Sequence, residues 1–185
     1  MKEREEIILI GPVGAGKSTI GQLLAAKLGL PQVSLDDIRF NYFREIGYDE
    51  EYGRRLRAEK GFPALVDYWK PFEAYAVERV VADHRDCVFD FGAGYTVHED
   101  ATLFERVRKA LTPFRNVVLL LPDPDVATSQ AIMESYDATV ARDREINLHF
   151  LSHPSNRLLA THIVYWRGLT PDQTRDEVLA AVGIY

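Results

Sequence analysis

Residues Gly11-Pro12-Val13-Gly14-Ala15-Gly16-Lys17-Ser18-Thr19 limit the possible folds more than any other stretch. They fit the pattern G-x-x-x-x-G-K-[ST], which carries weight only between a strand and a helix. Both flanks are present. The apolar run Ile7-Ile8-Leu9-Ile10 reads as a buried strand, and Thr19 to Leu28 reads as an amphipathic helix. The alternative is a Gly-rich turn that merely precedes a helix. In a true phosphate loop the glycines let backbone N–H groups curl around an anion, and the helix N-terminus adds its positive end. Gly11, Gly14, Ala15, Gly16, Lys17, Ser18 and Thr19 are then the expected nucleotide-binding residues. Lys17 reaches for the β- and γ-phosphates, and the Ser18 hydroxyl holds Mg²⁺.

The 185 residues fit one domain, taken as residues 1–185. The formal net charge of −6 argues against general affinity for nucleic acid or membrane, without excluding a local basic pocket. No apolar run approaches the ~20 residues that span a bilayer. Met1 to Glu6 is charged and lacks the apolar core of a secretory leader. Cys87 is the only cysteine, so no intrachain disulfide forms; it sits in an apolar run and is expected as a small buried residue. A reducing cytoplasm is the expected compartment. The five histidines show no metal-ligand spacing, and no G-x-S-x-G elbow is present.

Five short runs read as strands: Glu6–Ile10, Gln32–Leu35, Cys87–Phe91, Asn116–Leu121 and Thr161–Trp166. Val, Ile and Leu dominate four of them with little alternation, as in a parallel sheet covered on both faces. Strands alternating with helices argue for a doubly wound α/β fold. A long insert, about residues 38–84, follows the second strand and carries helical patterns over Asp36–Ile46, Asp49–Glu59 and Pro63–His84, with Pro71 a point where the last can kink. A second insert, about residues 135–153, is rich in Arg, Asp and Asn, lacks a firm apolar stripe and suits a mobile cover. The last helix is capped by Thr170 with Pro171 and Gln173 behind it, and stops at Gly183.

In such sheets ligands bind beyond the C-terminal strand ends. The second strand delivers Asp36 and Asp37, where a carboxylate either accepts the proton of an acceptor hydroxyl, holds a water on Mg²⁺, or simply caps the helix. Asp36, nearer the strand, is the first choice as base. The third delivers Asp90, either an Mg²⁺-orienting group or a buried carboxylate satisfied by backbone N–H groups or Ser18, and then Gly92, Ala93 and Gly94, which let the chain pass close to a ligand. Arg142 and Arg144 lie in the cover, where a guanidinium arriving on closure would take up charge on the moving phosphoryl group; solvent-facing arginines are the alternative. Arg39, Arg54, Arg55 and Arg57 lie in the first insert, where an acceptor would enter; an anionic acceptor would need one or two of them, and a solvated helix face is the alternative, favoured for Arg54 and Arg55. Trp166 and Arg167 are candidates to flank an adenine ring, with a core or rim aromatic the other reading of Trp166.

On Gly11–Thr19, Phe91-Gly92-Ala93-Gly94 and His162-Ile163-Val164 through Gly168-Leu169-Thr170-Pro171, the layout resembles the small P-loop kinases, and shikimate kinase most closely. That resemblance implies a three-layer α/β P-loop fold with sheet order 2-3-1-4-5, ATP on the first loop and a lid above it. It implies transfer of a phosphoryl group to a small-molecule hydroxyl. Departures fall on the acceptor side and the lid. Where shikimate kinases carry D-x-D, this chain has Ser34-Leu35-Asp36. Their F-R-x-x-E signature is not found, Arg54 to Glu59 being a loose echo, and the R-P-L lid signature is missing. Leu35-Asp36-Asp37-Ile38-Arg39 is similar instead to zeta-toxin-like and polynucleotide-kinase-like P-loop kinases. The expected partners are therefore ATP with Mg²⁺ and a small-molecule acceptor, with a nucleotide, nucleoside, sugar nucleotide or polynucleotide end as alternatives, and a monomer as the default. A nucleotide-binding regulator without transfer activity is the reading from another class.

Overall fold

A computed structural model describes residues 4–184. Met1–Glu3, part of the charged start noted above, lie outside the described residues. The sheet has five parallel strands in the order β2-β3-β1-β4-β5, with β1 Arg4–Ile10, β2 Gln32–Ser34, β3 Val88–Asp90, β4 Phe114–Leu121 and β5 His162–Tyr165. Both the order and the P-loop architecture are those expected. The central strands are apolar because helices cover both faces: Ile7 to Ile10, Val88, Phe89 and Val117 to Leu121 are all buried. Cys87 is buried beside them.

Helix α1, Lys17–Leu28, starts at the phosphate loop and ends on Gly29 in the left-handed conformation. It packs against α10, Pro171–Ala181, at whose start the expected reciprocal cap between Thr170 and Gln173 forms. The first insert folds as α2 (Leu35–Glu45), α3 (Glu50–Lys60) and α4 (Phe62–Asp83). Leu35, expected to end the second strand, opens α2 instead and is fully buried. The α4 helix continues through Pro71. The insert carries an aromatic cluster of its own: Tyr48 contacts Phe40, Phe43, Tyr68 and Phe72 with centroids 5.2–5.5 Å apart.

After α5 (Ala101–Leu111) and α6 (Val126–Tyr136), the second insert folds as α7 (Ala138–Arg142) and α8 (Arg144–Ser152), followed by α9 (Pro154–Leu159). This corrects the expectation of a cover without an apolar stripe. Asn147, Phe150 and Leu151 form a buried i, i+3, i+4 stripe on α8, and Val140 is buried on α7. The stripe escapes a hydropathy reading because an asparagine holds its first position. Among the described residues, no helix is long and apolar enough to cross a membrane.

Candidate active site

Parallel registry brings three strand ends together. Leu9 and Ser34 both stand opposite Asp90, so the phosphate loop, the start of α2 and the 92–94 turn emerge side by side. Gly11 keeps φ at +141°, and a Cβ there would meet the Leu120 carbonyl oxygen at 2.6 Å, so the loop departs β1 where no side chain fits. Gly16 is left-handed at the N-cap of α1.

A cavity of about 370 Å³ opens over this junction, lined by the phosphate loop with Lys17, Ser18 and Thr19, and by Asp36, Asp90, Gly92, Ala93 and Asp137. Lys17 is 7 % exposed and its Nζ donates to the Pro12 carbonyl at 2.7 Å. Burial lowers its pKa, opposed by Asp90 and Asp36. Asp90 is buried. That burial raises its pKa, while the Ser18 hydroxyl and Lys17 hold it down, and Gln32 Nε2 lies 3.4 Å away. An ammonium and a loop of N–H groups suit phosphates, and a hydroxyl beside a carboxylate suits Mg²⁺, which takes oxygen ligands and keeps waters. The residues present thus fit ATP with Mg²⁺: the loop and Lys17 for the phosphates, Ser18 and Asp90 for the metal.

Asp36 is not the helix cap, since Ser34 occupies that position. Its carboxylate accepts from Arg39 at 3.1 Å and from the Tyr95 hydroxyl at 3.3 Å. A Cβ on Gly92 would meet it at 2.5 Å, so the glycine admits Asp36 to the turn. Asp37 is exposed and does not line the cavity. Arg39 lies between Trp69 and Phe40, each ring centroid 4.8 Å away.

Several expected residues are turned elsewhere. Arg142 pairs with Asp143 at 2.6 Å and Arg144 with Glu134 at 2.7 Å; neither lines the phosphate cavity. Arg57 sits over the Phe62 ring at 5.2 Å on exposed α3. Arg167 binds Asp123 at 2.9 Å, while Trp166 does line a separate cavity of about 270 Å³ beside Gly14, Gly16, Thr19 and Pro171. Tyr136 shares that wall, 6.3 Å from Trp166 between ring centroids, and the pair offers an aromatic surface for a nucleobase.

Three features escaped the sequence reading. Asp137 joins the phosphate cavity from the cover. Asn147 accepts a hydrogen bond from the Val13 N–H at 2.8 Å and donates to Gln130 at 3.2 Å, pinning α8 to the phosphate loop. Lys70 pairs with buried Glu73 at 2.9 Å and donates to the Gly94 carbonyl at 3.0 Å. Burial raises the Glu73 pKa and Lys70 opposes the rise. The sequence Trp69-Lys70-Pro71-Phe72-Glu73 thus puts an aromatic, a cation and a glutamate in the F-R-x-x-E spacing, with Lys for Arg, one helix later than the echo at Arg54 to Glu59. The signal was the i, i+3 spacing of opposite charges directly after an aromatic residue on α4.

No family model matches the chain. The shikimate kinase of Francisella tularensis subsp. holarctica (strain FTNF002-00 / FTA) is 34 % identical over 94 residues, covering 51 % of this chain and 48 % of that enzyme. The chain thus spans about half the length of such curated relatives. The shikimate kinase of Streptomyces coelicolor is 28 % identical over 183 residues, covering 95 % of this chain and 94 % of that enzyme. Among solved structures, the Acinetobacter baumannii shikimate kinase in complex with shikimate has a TM-score of 0.62 at 19 % identity, covering 95 % of this chain and 91 % of that one. A Sinorhizobium meliloti gluconokinase has a TM-score of 0.62 at 19 % identity, covering 99 % of this chain and 94 % of that one. The fold is that of the small P-loop kinases, and the chain is similar to shikimate kinases along nearly its full length.

Proposed function

We propose that this protein is a phosphotransferase that moves the γ-phosphoryl group of ATP to a hydroxyl of a small molecule. The observation that carries the reading is the single cavity in which Lys17, Ser18, Asp90 and Asp36 converge at the strand ends. When bound, ATP with Mg²⁺ supplies the phosphoryl group and part of the charge neutralisation. Lys17 and the loop N–H groups bind the phosphates. Ser18 and Asp90 would hold the metal. Asp36, aimed at the 92–94 turn, orients the acceptor hydroxyl and takes its proton. Trp166 and Tyr136 receive the nucleobase. Transfer of this kind needs positioning and electrostatic stabilisation more than covalent chemistry.

The curated and structural relatives support a small-molecule acceptor, and one copy of the chain carries every residue named. The cytoplasm, where a lone cysteine stays reduced, is the compartment this reading takes. The test is ADP release from Mg·ATP against shikimate, nucleosides, nucleoside monophosphates, sugar nucleotides and an oligonucleotide. Turnover raised by one acceptor, and lost in Asp36→Asn with ATP binding retained, is the expected result. Tight ATP binding with no acceptor-dependent turnover would make the protein a nucleotide-binding regulator.

A further inference from the structure

A chain of hydrogen bonds joins α6 and α8 to the phosphate loop. Arg144 Nη1 donates to Glu134 Oε1 at 2.7 Å and to Oε2 at 2.8 Å. The same Oε1 accepts from Gln130 Nε2 at 2.8 Å, one turn back on α6. Gln130 Oε1 accepts from Asn147 Nδ2 at 3.2 Å, and Asn147 Oδ1 accepts from the Val13 N–H at 2.8 Å. That N–H and the Pro12 carbonyl belong to one planar peptide group, and the carbonyl accepts from Lys17 Nζ at 2.7 Å. The Pro12–Val13 peptide is thus held at one end by Asn147 and holds the lysine at the other.

Each member fixes the direction of the next. A side-chain amide donates through nitrogen and accepts through oxygen, and its neighbours decide which way round it sits. A carboxylate paired with an arginine only accepts, so Glu134 draws Gln130 Nε2 toward itself and leaves Gln130 Oε1 to face Asn147. That oxygen draws Asn147 Nδ2, which leaves Oδ1 for the Val13 N–H. A backbone N–H only donates, so the two ends of the chain agree. With a donor at residue 134 both amides would turn over, and Asn147 Nδ2 would meet the Val13 N–H, donor against donor. Gln130 and Asn147 are each 1 % exposed, so bulk water does not make good a misdirected bond there.

We propose that Glu134, which does not line the phosphate cavity, is a positioning residue for Lys17. Through Gln130 and Asn147 it sets the orientation of the Pro12–Val13 peptide, and that peptide holds the ammonium at the place of the nucleotide phosphates. Arg144 supplies the partner that keeps the carboxylate in position. The inference rests on the reading of this cavity as a nucleotide site and adds a residue to it from outside.

The test compares two changes at the head of the chain. Glu134→Lys combined with Arg144→Glu keeps an ion pair but presents a donor to Gln130. Glu134→Gln removes the charge but keeps an oxygen for Gln130. Amide hydrogen exchange at Val13 is followed by NMR in the ligand-free protein, and the Kd for Mg·ATP is measured by calorimetry. The exchanged pair is expected to speed exchange at Val13 about tenfold and to weaken Mg·ATP binding about tenfold, with Glu134→Gln within about threefold of wild type in both. Glu134→Met, which supplies neither acceptor nor donor, is expected to fall between them and covers the case in which the exchanged pair does not fold. Wild-type exchange and affinity in the exchanged pair, or in Glu134→Met where that pair does not fold, would overturn the inference. Equal losses in the exchanged pair and Glu134→Gln would overturn it too, since the original charges and not the direction of the bonds would then matter. Faster exchange at Val13 with an unchanged Kd would overturn the positioning of Lys17 and leave the phosphotransferase reading standing. No binding of Mg·ATP by the wild-type protein would overturn both.

Discussion

Asp36 owes its position to what Gly92 lacks. A methyl group at residue 92 would stand 2.5 Å from the carboxylate, so Gly92→Ala must push Asp36 off the turn. The expected outcome is a fall in kcat of about tenfold or more, with ATP affinity within about twofold of wild type. A normal kcat would show that Asp36 does not need its place. His98 gives a second prediction. It is 3 % exposed, its Nε2 faces the Tyr95 carbonyl at 3.1 Å, and burial, helped by Lys70, depresses its pKa from 6.5 to about 4. A depressed histidine contributes stability that is present above pH 6.5 and lost as pH falls through about 4. The contribution is on the order of 3 kcal/mol. Denaturation midpoints between pH 7 and 4 should fall less steeply in His98→Gln than in wild type; parallel curves would mean that the imidazole is not held neutral. Nothing in the sequence around His98 announced this, because burial belongs to the folded chain.

At the level of elements, the cover is more tightly built than its composition suggests. Helix α8 is joined to the phosphate loop by Asn147, and Val140 of α7 stands 3.0 Å from where a Cβ of Gly14 would lie. Asn147→Leu keeps the apolar packing but leaves the Val13 N–H and the Gln130 Oε1 without this partner. A loss of about 2 kcal/mol in chemical denaturation is expected, with a raised KM for ATP, since the loop loses its tether. An intact KM would confine Asn147 to packing. The acceptor-side helices were legible as helices from their periodicity and glycine boundaries. The pairing of Lys70 with Glu73 on α4 was not, because the rotation that turns this pair toward Gly94 is set by how α4 packs on α2, α3 and α5.

For the molecule as a whole, a ligand that binds only the folded state raises its stability by mass action. Saturating Mg·ATP, at about 100 times its Kd, should add about 2.7 kcal/mol and raise Tm. Lys17→Ala should keep the ligand-free fold and lose the shift; a retained shift would remove the phosphate loop from nucleotide binding. The sequence by itself determined the strand–loop–helix unit and the α/β class, and it pointed to the side of the site proposed for the nucleotide. There the proposed chemistry rests on consecutive backbone N–H groups and one lysine, all within nine residues. It also placed Asp36 and Asp90, because strand ends converge in any parallel sheet of this kind. Only the tertiary structure decided the rest: that Arg142, Arg144 and Arg167 are held by local acids, that Tyr136 joins Trp166, and that Lys70 is matched to Glu73. Which charges remain available to a ligand depends on distances between side chains from different elements. A one-dimensional pattern carries no such distances, and the side proposed for the acceptor, assembled from α2, α4 and the 92–94 turn, is made of little else.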